Sequence, residues 1–298
     1  MSSRRAVIAG ASGFIGRALV TELTSAGWAV TRLVRGPATG GDKVSWDPQT
    51  GTLDPAVLSG ADAVINLSGA SISQIPWTRS VRESIVASRR EATTTLVTAI
   101  NAAKVAPKVF LSGSAVGIYG DRGDSELTET SARGARFLAD VVEGWEADAS
   151  RATCRTVFLR TGLVLGDGGA LAPLRLATMF FAGARIGTGQ QWWPWISHRD
   201  EVRAIVHLID SKLTGAVNLV GPTPARSVDV TRELARIMKR PQLFVIPARV
   251  IGLLGDAGRE LLLASQKIRA TALEKDGFVF EHRTVAEALS WAIAETRR

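Results

Sequence analysis

The chain has 298 residues, 46% of them hydrophobic and 21% charged, a balance that fits a globular protein and excludes a disordered or fibrous one. No stretch reaches the eighteen or so unbroken apolar residues of a membrane helix, and the opening run 6–10 is too short for a secretion signal, so the sequence predicts a cytoplasmic protein without membrane contact. The net charge of +8 is scattered, with no run of five like charges, which argues against nucleic acid and for a mild pull on an anionic ligand.

In chain order, apolar strand-like runs at 7–9, 29–34, 63–65, 109–111 and 157–159 alternate with helical patterns at about 14–26, 78–103 and 134–151. This βαβ repetition predicts an α/β fold: a Rossmann-type doubly wound parallel sheet. The single Cys154 leads into the strand at 157–159 and reads as a small apolar residue. A Gly- and Trp-rich segment, 183–195, follows, then a helix at 198–211 and a strand at 216–220. Helical patterns at 227–239, 247–264 and 284–296 around one short strand, 243–246, predict a smaller, mostly helical C-terminal lobe. The expected division is therefore 1–165 for the nucleotide domain, with 196–221 returning to it, and 166–195 with 222–298 for the substrate lobe. Trp192, Trp193 and Trp195 fit either aromatic pocket walls or packing between the lobes.

Gly10, Gly13 and Gly16 follow the first strand directly and open the first helix, with Ser12, Phe14 and Ile15 between and beside them. In that context Gly10 permits a tight turn, Gly13 lets backbone approach a pyrophosphate, and Gly16 allows close helix packing, while the helix N-terminus offers donors. An NAD site places a carboxylate about twenty residues further on. Here the second strand and its exit hold no acid before Asp42; Arg35 stands at the strand end with Arg32 nearby. A guanidinium suits a 2′-phosphate, so the expected cofactor is NADP(H).

With these residues in view, the chain resembles the extended short-chain dehydrogenase/reductase family, and within it the epimerase-family, NAD-dependent epimerase/dehydratase-like branch with its own C-terminal extension. The marks are Gly10 to Gly16, residues 66–70, Ser88-Arg89, residues 112–117, Arg160-Thr161-Gly162, residues 195–198 and Gly277-Phe278. The resemblance implies that Leu67, Ser68, Ala70, Arg89 and Ser112 border the cofactor and that Ser114 holds the reacting oxygen of a small carbonyl or nucleotide-sugar-like substrate. It also implies a Tyr-x-x-x-Lys pair that exchanges the proton while hydride moves. That pair is absent: residues 134–143 contain neither tyrosine nor lysine. Ser114, Tyr119 (the one tyrosine) and His198 are the candidate proton donors, with Ser114 and Tyr119 favoured and His198 read as ordering its loop. Two functions follow: an NADP(H)-dependent oxidoreductase or epimerase-like enzyme, and a non-catalytic NADP(H) sensor. A homodimer is compatible with either.

Overall fold

The computed structural model describes residues 3–169, 171–179 and 184–295. Its centre is a seven-stranded sheet made of β1 (Arg5–Ala9), β2 (Ala29–Arg35), β3 (Lys43–Trp46), β4 (Ala63–Asn66), β5 (Val109–Ala115), β6 (Arg155–Thr161) and β7 (Gly215–Leu219). All neighbours pair parallel, in the order β7-β6-β5-β4-β1-β2-β3. The order reverses beside β1, which opens a crevice at the carboxyl ends of the strands. Strands covered on both faces read as continuous apolar runs, and β4 is buried along its whole length.

Helices α1 (Phe14–Ser25) and α5 (His198–Asp210) cover one face, packing Leu19, Leu23, Ile205 and Leu208 on Ile8, Leu111 and Val157. Helices α2 (Arg79–Ala102) and α3 (Phe137–Ala149) cover the other, where Leu96, Ile100 and Ala149 meet Val7, Leu33 and Phe110. Leu165, Trp193, Trp195, Leu234 and Leu289 centre a second core, built with α4 (Leu171–Met179), α6 (Ser227–Ile237) and the last helix, Val285–Glu295. Among the described residues no helix is long and apolar enough to cross a membrane.

The structure departs from the sequence expectation at several places: the C-terminal half carries further short strands, among them Leu163–Leu165 paired with Trp195–Ser197 and Ala184–Ile186 paired with the anticipated Phe244–Ile246. β3 was not anticipated: it is four residues long between Gly40-Gly41-Asp42 and Asp47-Pro48, and it pairs only with β2 at the sheet edge. The helix expected from 134 begins at Phe137, because Arg136 before it holds φ at +86°, outside the helical region, and the Gly134 N–H donates to the Ile118 carbonyl at 2.8 Å. The pattern at 247–264 breaks at Gly255, whose φ is +66°, into Ala248–Gly252, Gly255–Gly258 and a π-turn, Arg259–Leu263.

In the Trp-rich segment, residue 183 lies outside the described residues, as does residue 296 of the last predicted helix. Trp193 and Trp195 are buried in the second core and donate to the Leu262 and Thr223 carbonyls at 3.3 and 2.9 Å, so they pack within that core. Trp192 is partly exposed, under the Arg226 guanidinium at 4.2 Å.

Candidate cofactor and active site

The glycine loop has no room for side chains. At Gly10 φ is +80°, and a Cβ would lie 2.6 Å from the Leu67 carbonyl carbon; at Gly16 it would lie 2.2 Å from the Gly10 carbonyl oxygen. Gly13 caps α1 with no side-chain hydrogen bond, and no acidic residue stands in the helix's first turn. Ser12 and Gly13 are exposed. Uncapped N–H groups and an acid-free first turn suit a pyrophosphate. Ile15 packs against the core beneath, and Phe14 is held in place: its ring lies against Gly166, Gly168 and Gly169 and stacks on His198 at 4.1 Å. The His198 Nε2–H donates to the Phe14 carbonyl oxygen at 3.1 Å, and burial lowers the imidazole pKa. His198 thus braces the loop as a neutral ring.

Residues 67–70 form a shelf at the exit of β4, beside the loop. Asn66, fully buried, accepts from the Ser68 N–H and donates to Thr93 Oγ1 at 3.0 Å, and Thr93 also accepts from Trp145 Nε1. Ser88 Oγ accepts from the Ala70 N–H at 2.9 Å, and Arg89 donates to the Ala70 carbonyl at 3.1 Å. Burial pulls the Arg89 guanidinium down to about 10, so it keeps its charge at neutral pH. Among the described residues no carboxylate pairs with it. A partly buried cation without a counter-ion beside a phosphate cradle is a candidate phosphate ligand.

The two arginines of β2 differ. Arg32 is ion-paired with Asp42, whose backbone carbonyl also accepts from the Arg32 N–H at 2.7 Å. Arg35 is exposed at the strand end, level with Trp46 of β3, and among the described residues no carboxylate pairs with it.

Ser114 is buried near the end of β5, and its hydroxyl donates to Glu146 Oε1 of α3 at 2.6 Å. Arg160, beside it on β6, grips both Glu146 oxygens at 2.8 Å and donates to the Tyr119 hydroxyl at 2.8 Å. Tyr119, fully buried, donates in turn to Asn218 Oδ1 at 2.7 Å.

A family model for the NAD-dependent epimerase/dehydratase family matches residues 6–221, nearly three quarters of the chain. The chain belongs to the NAD-dependent epimerase/dehydratase family. A second model, a domain of unknown function, matches residues 246–292. An epimerase family protein of Mycobacterium leprae is 38% identical over 98% of this chain and 97% of its own length. The crystal structure of human epimerase family protein SDR39U1 with NADPH superposes with a TM-score of 0.89 at 28% identity, covering 97% of this chain and 99% of that one. A nucleoside-diphosphate sugar epimerase of Corynebacterium glutamicum gives 0.78 at 32% identity, covering 99% of this chain and 61% of that one.

Within this epimerase-family chain three expected roles change. Tyr119 is not a proton donor to a ligand: its hydroxyl is spent between Arg160 and Asn218, and burial raises its pKa. Ser112 is fully buried with its hydroxyl on the Gly113 carbonyl, so its side chain does not enter the crevice. Arg32 is held by Asp42, which leaves Arg35 as the open cation of the pair. Glu146, Asn218 and Glu201 escaped sequence reasoning. Arg160 is the available signal for Glu146: a charged residue directly after the apolar run Val157-Phe158-Leu159, on the same strand, must find a partner where it is buried.

Proposed function

We propose that this protein binds NADP(H) and exchanges hydride with a small carbonyl or nucleotide-sugar-like substrate. The observation that carries the cofactor choice is Arg35, a cation at the end of β2 with no carboxylate partner among the described residues, while Asp42, the first acid after the strand, is engaged by Arg32. The glycine cradle takes the pyrophosphate, and Arg89 reaches it from α2 across the 67–70 shelf. When bound, the nicotinamide supplies or takes up the hydride.

The proton route replaces the missing tyrosine and lysine. The Ser114 hydroxyl already donates to Glu146, so its oxygen keeps lone pairs that can accept from a substrate hydroxyl. On alcohol oxidation the substrate proton passes to Ser114 Oγ as the Ser114 proton passes to Glu146; reduction runs the other way. Arg160 fixes the carboxylate for that exchange through two bonds.

The test is NADPH oxidation against panels of carbonyl compounds and nucleotide sugars. Turnover that is lost in Ser114→Ala and Glu146→Gln but kept in Tyr119→Phe supports this route. The locked Tyr119 favours a second reading, a non-catalytic NADP(H) sensor, and tight NADPH binding without turnover on any substrate would select it.

A further inference from the structure

Three arginines from three parts of the fold converge on one carboxylate. Arg82 of α2 is ion-paired with Asp256 Oδ2, in the short helix Gly255–Gly258. Arg136, just before α3, stands 3.9 Å from Asp256 Oδ1, and Arg259, which opens the π-turn, stands 4.0 Å from the same oxygen. Arg82 is fixed further by Phe137, whose ring lies 4.8 Å from its guanidinium. Arg136 and Arg259 have no other carboxylate partner among the described residues, and their side chains are 52% and 56% exposed, open to a ligand. One aspartate against three guanidiniums leaves two positive charges over. The neighbouring Glu260 is turned to the Leu138 N–H at 2.9 Å, and burial raises its pKa; even ionised, it leaves one positive charge over. Cations gathered this closely repel one another and attract an anion.

The backbone at Arg136 adds to the case. Its φ is +86° and its ψ 176°, a region that is nearly confined to glycine and costs stability for any residue with a Cβ. A glycine would take the same turn without strain, so what the arginine contributes there is its side chain. Beside the cluster runs a groove of about 800 Å³ between the outer face of α2 and the turn 48–51. Its lining follows α2 from Arg82 to Thr95, so the cluster stands at one end, and Val86, Ala87, Pro48 and Phe137 give it an apolar wall. The Arg136 and Arg259 nitrogens share one carboxylate oxygen and are no more than about 8 Å apart, a span that two donors on different oxygens of one phosphoryl group also cover.

We propose that Arg82, Arg136 and Arg259 bind the phosphoryl group of a small organic phosphate whose apolar body lies along the groove. Arg136 and Arg259 donate to the phosphoryl oxygens, and Arg82, held by Asp256 and Phe137, adds its charge at the mouth of the groove. The site is distinct from the cofactor cradle: Arg82 precedes Arg89 by two turns of α2, about 10 Å along the axis. It does not depend on the NADP(H) reading.

Calorimetric titration with phenyl phosphate and with inorganic phosphate tests it in the wild type, Arg136→Gly, Arg259→Gln and Arg89→Gln. In the wild type phenyl phosphate should bind about tenfold more tightly than inorganic phosphate, because the groove covers its ring. Arg136→Gly and Arg259→Gln should each lose about tenfold for both ligands, and Arg89→Gln, at the cofactor shelf, should lose nothing. Arg136→Gly also relieves the backbone, so its melting temperature should rise while its phosphate affinity falls, which separates loss of the guanidinium from loss of the fold. Affinities unchanged in Arg136→Gly and Arg259→Gln, losses confined to Arg89→Gln, or phenyl phosphate no tighter than inorganic phosphate overturns the proposal.

Discussion

Replacing Glu201 by Gln should stabilise the free protein, and by more as pH rises. In the folded chain the carboxyl is pushed up from 4.5 to about 8 by burial, with only the Thr161 bond opposing the shift. The unfolded chain ionises near the ordinary value. Between these limits the folded state retains a proton that the unfolded state releases, so the stability present below pH 4.5 is lost as pH climbs toward 8. Each pH unit in that window costs about 1.4 kcal/mol. From pH 5 to pH 7 the wild type should therefore forfeit on the order of 3 kcal/mol that the non-titrating Gln variant keeps. Urea unfolding of both proteins at pH 5, 6, 7 and 8 measures the difference directly. Parallel stability curves, or a gap that closes as pH rises, would refute the assignment of Glu201 as a buried neutral acid.

Arg35→Ala removes the forked donors expected to meet the 2′-phosphate. Hydrogen bonds to a charged group are worth about 1.5–3 kcal/mol, so NADPH affinity should fall at least about tenfold while NADH affinity stays within about twofold, by fluorescence titration. Gly16→Ala places a methyl group 2.2 Å from the Gly10 carbonyl oxygen, and should both lower the melting temperature and abolish NADPH binding. Tyr119→Phe leaves Arg160 and Asn218 short of a buried partner; it should cost roughly 1–3 kcal/mol in urea unfolding and leave the NADPH dissociation constant unchanged.

The sheet was legible because strands covered on both faces must be apolar throughout, and 7–9, 63–65 and 109–111 announce themselves that way. Lys43–Trp46 escaped for the opposite reason: an edge strand with one neighbour needs no such run. The glycine loop was legible because its spacing encodes close backbone contacts, Gly10 on Leu67 and Gly16 on Gly10. What periodicity does not encode is pairing between distant polar residues. Nothing local in the sequence joins Ser114 to Glu146 or Tyr119 to Asn218, and those bonds decide which hydroxyl is available to a substrate. Glu201 was half visible: it shares a helical stripe with Ile205 and Leu208, where an acid has to be buried.

The same distinction separates the two arginines of β2. Both lie on β2, Arg35 at its end and Arg32 three residues before it, but only a fold that returns Asp42 along the sheet edge neutralises Arg32 and leaves Arg35 open. The proposed cofactor preference thus depends on where the first acid after β2 goes, and its sequence distance alone does not reveal that.

The glycine cradle and Arg35 are proposed to hold NADP(H) in preference to NAD(H). Titrating the wild-type protein with NADPH and NADH at one ionic strength, followed by intrinsic tryptophan fluorescence, tests it most directly. NADPH should bind at least about tenfold tighter than NADH, with the margin shrinking as salt screens the 2′-phosphate. Equal affinities, or tighter NADH, would contradict it.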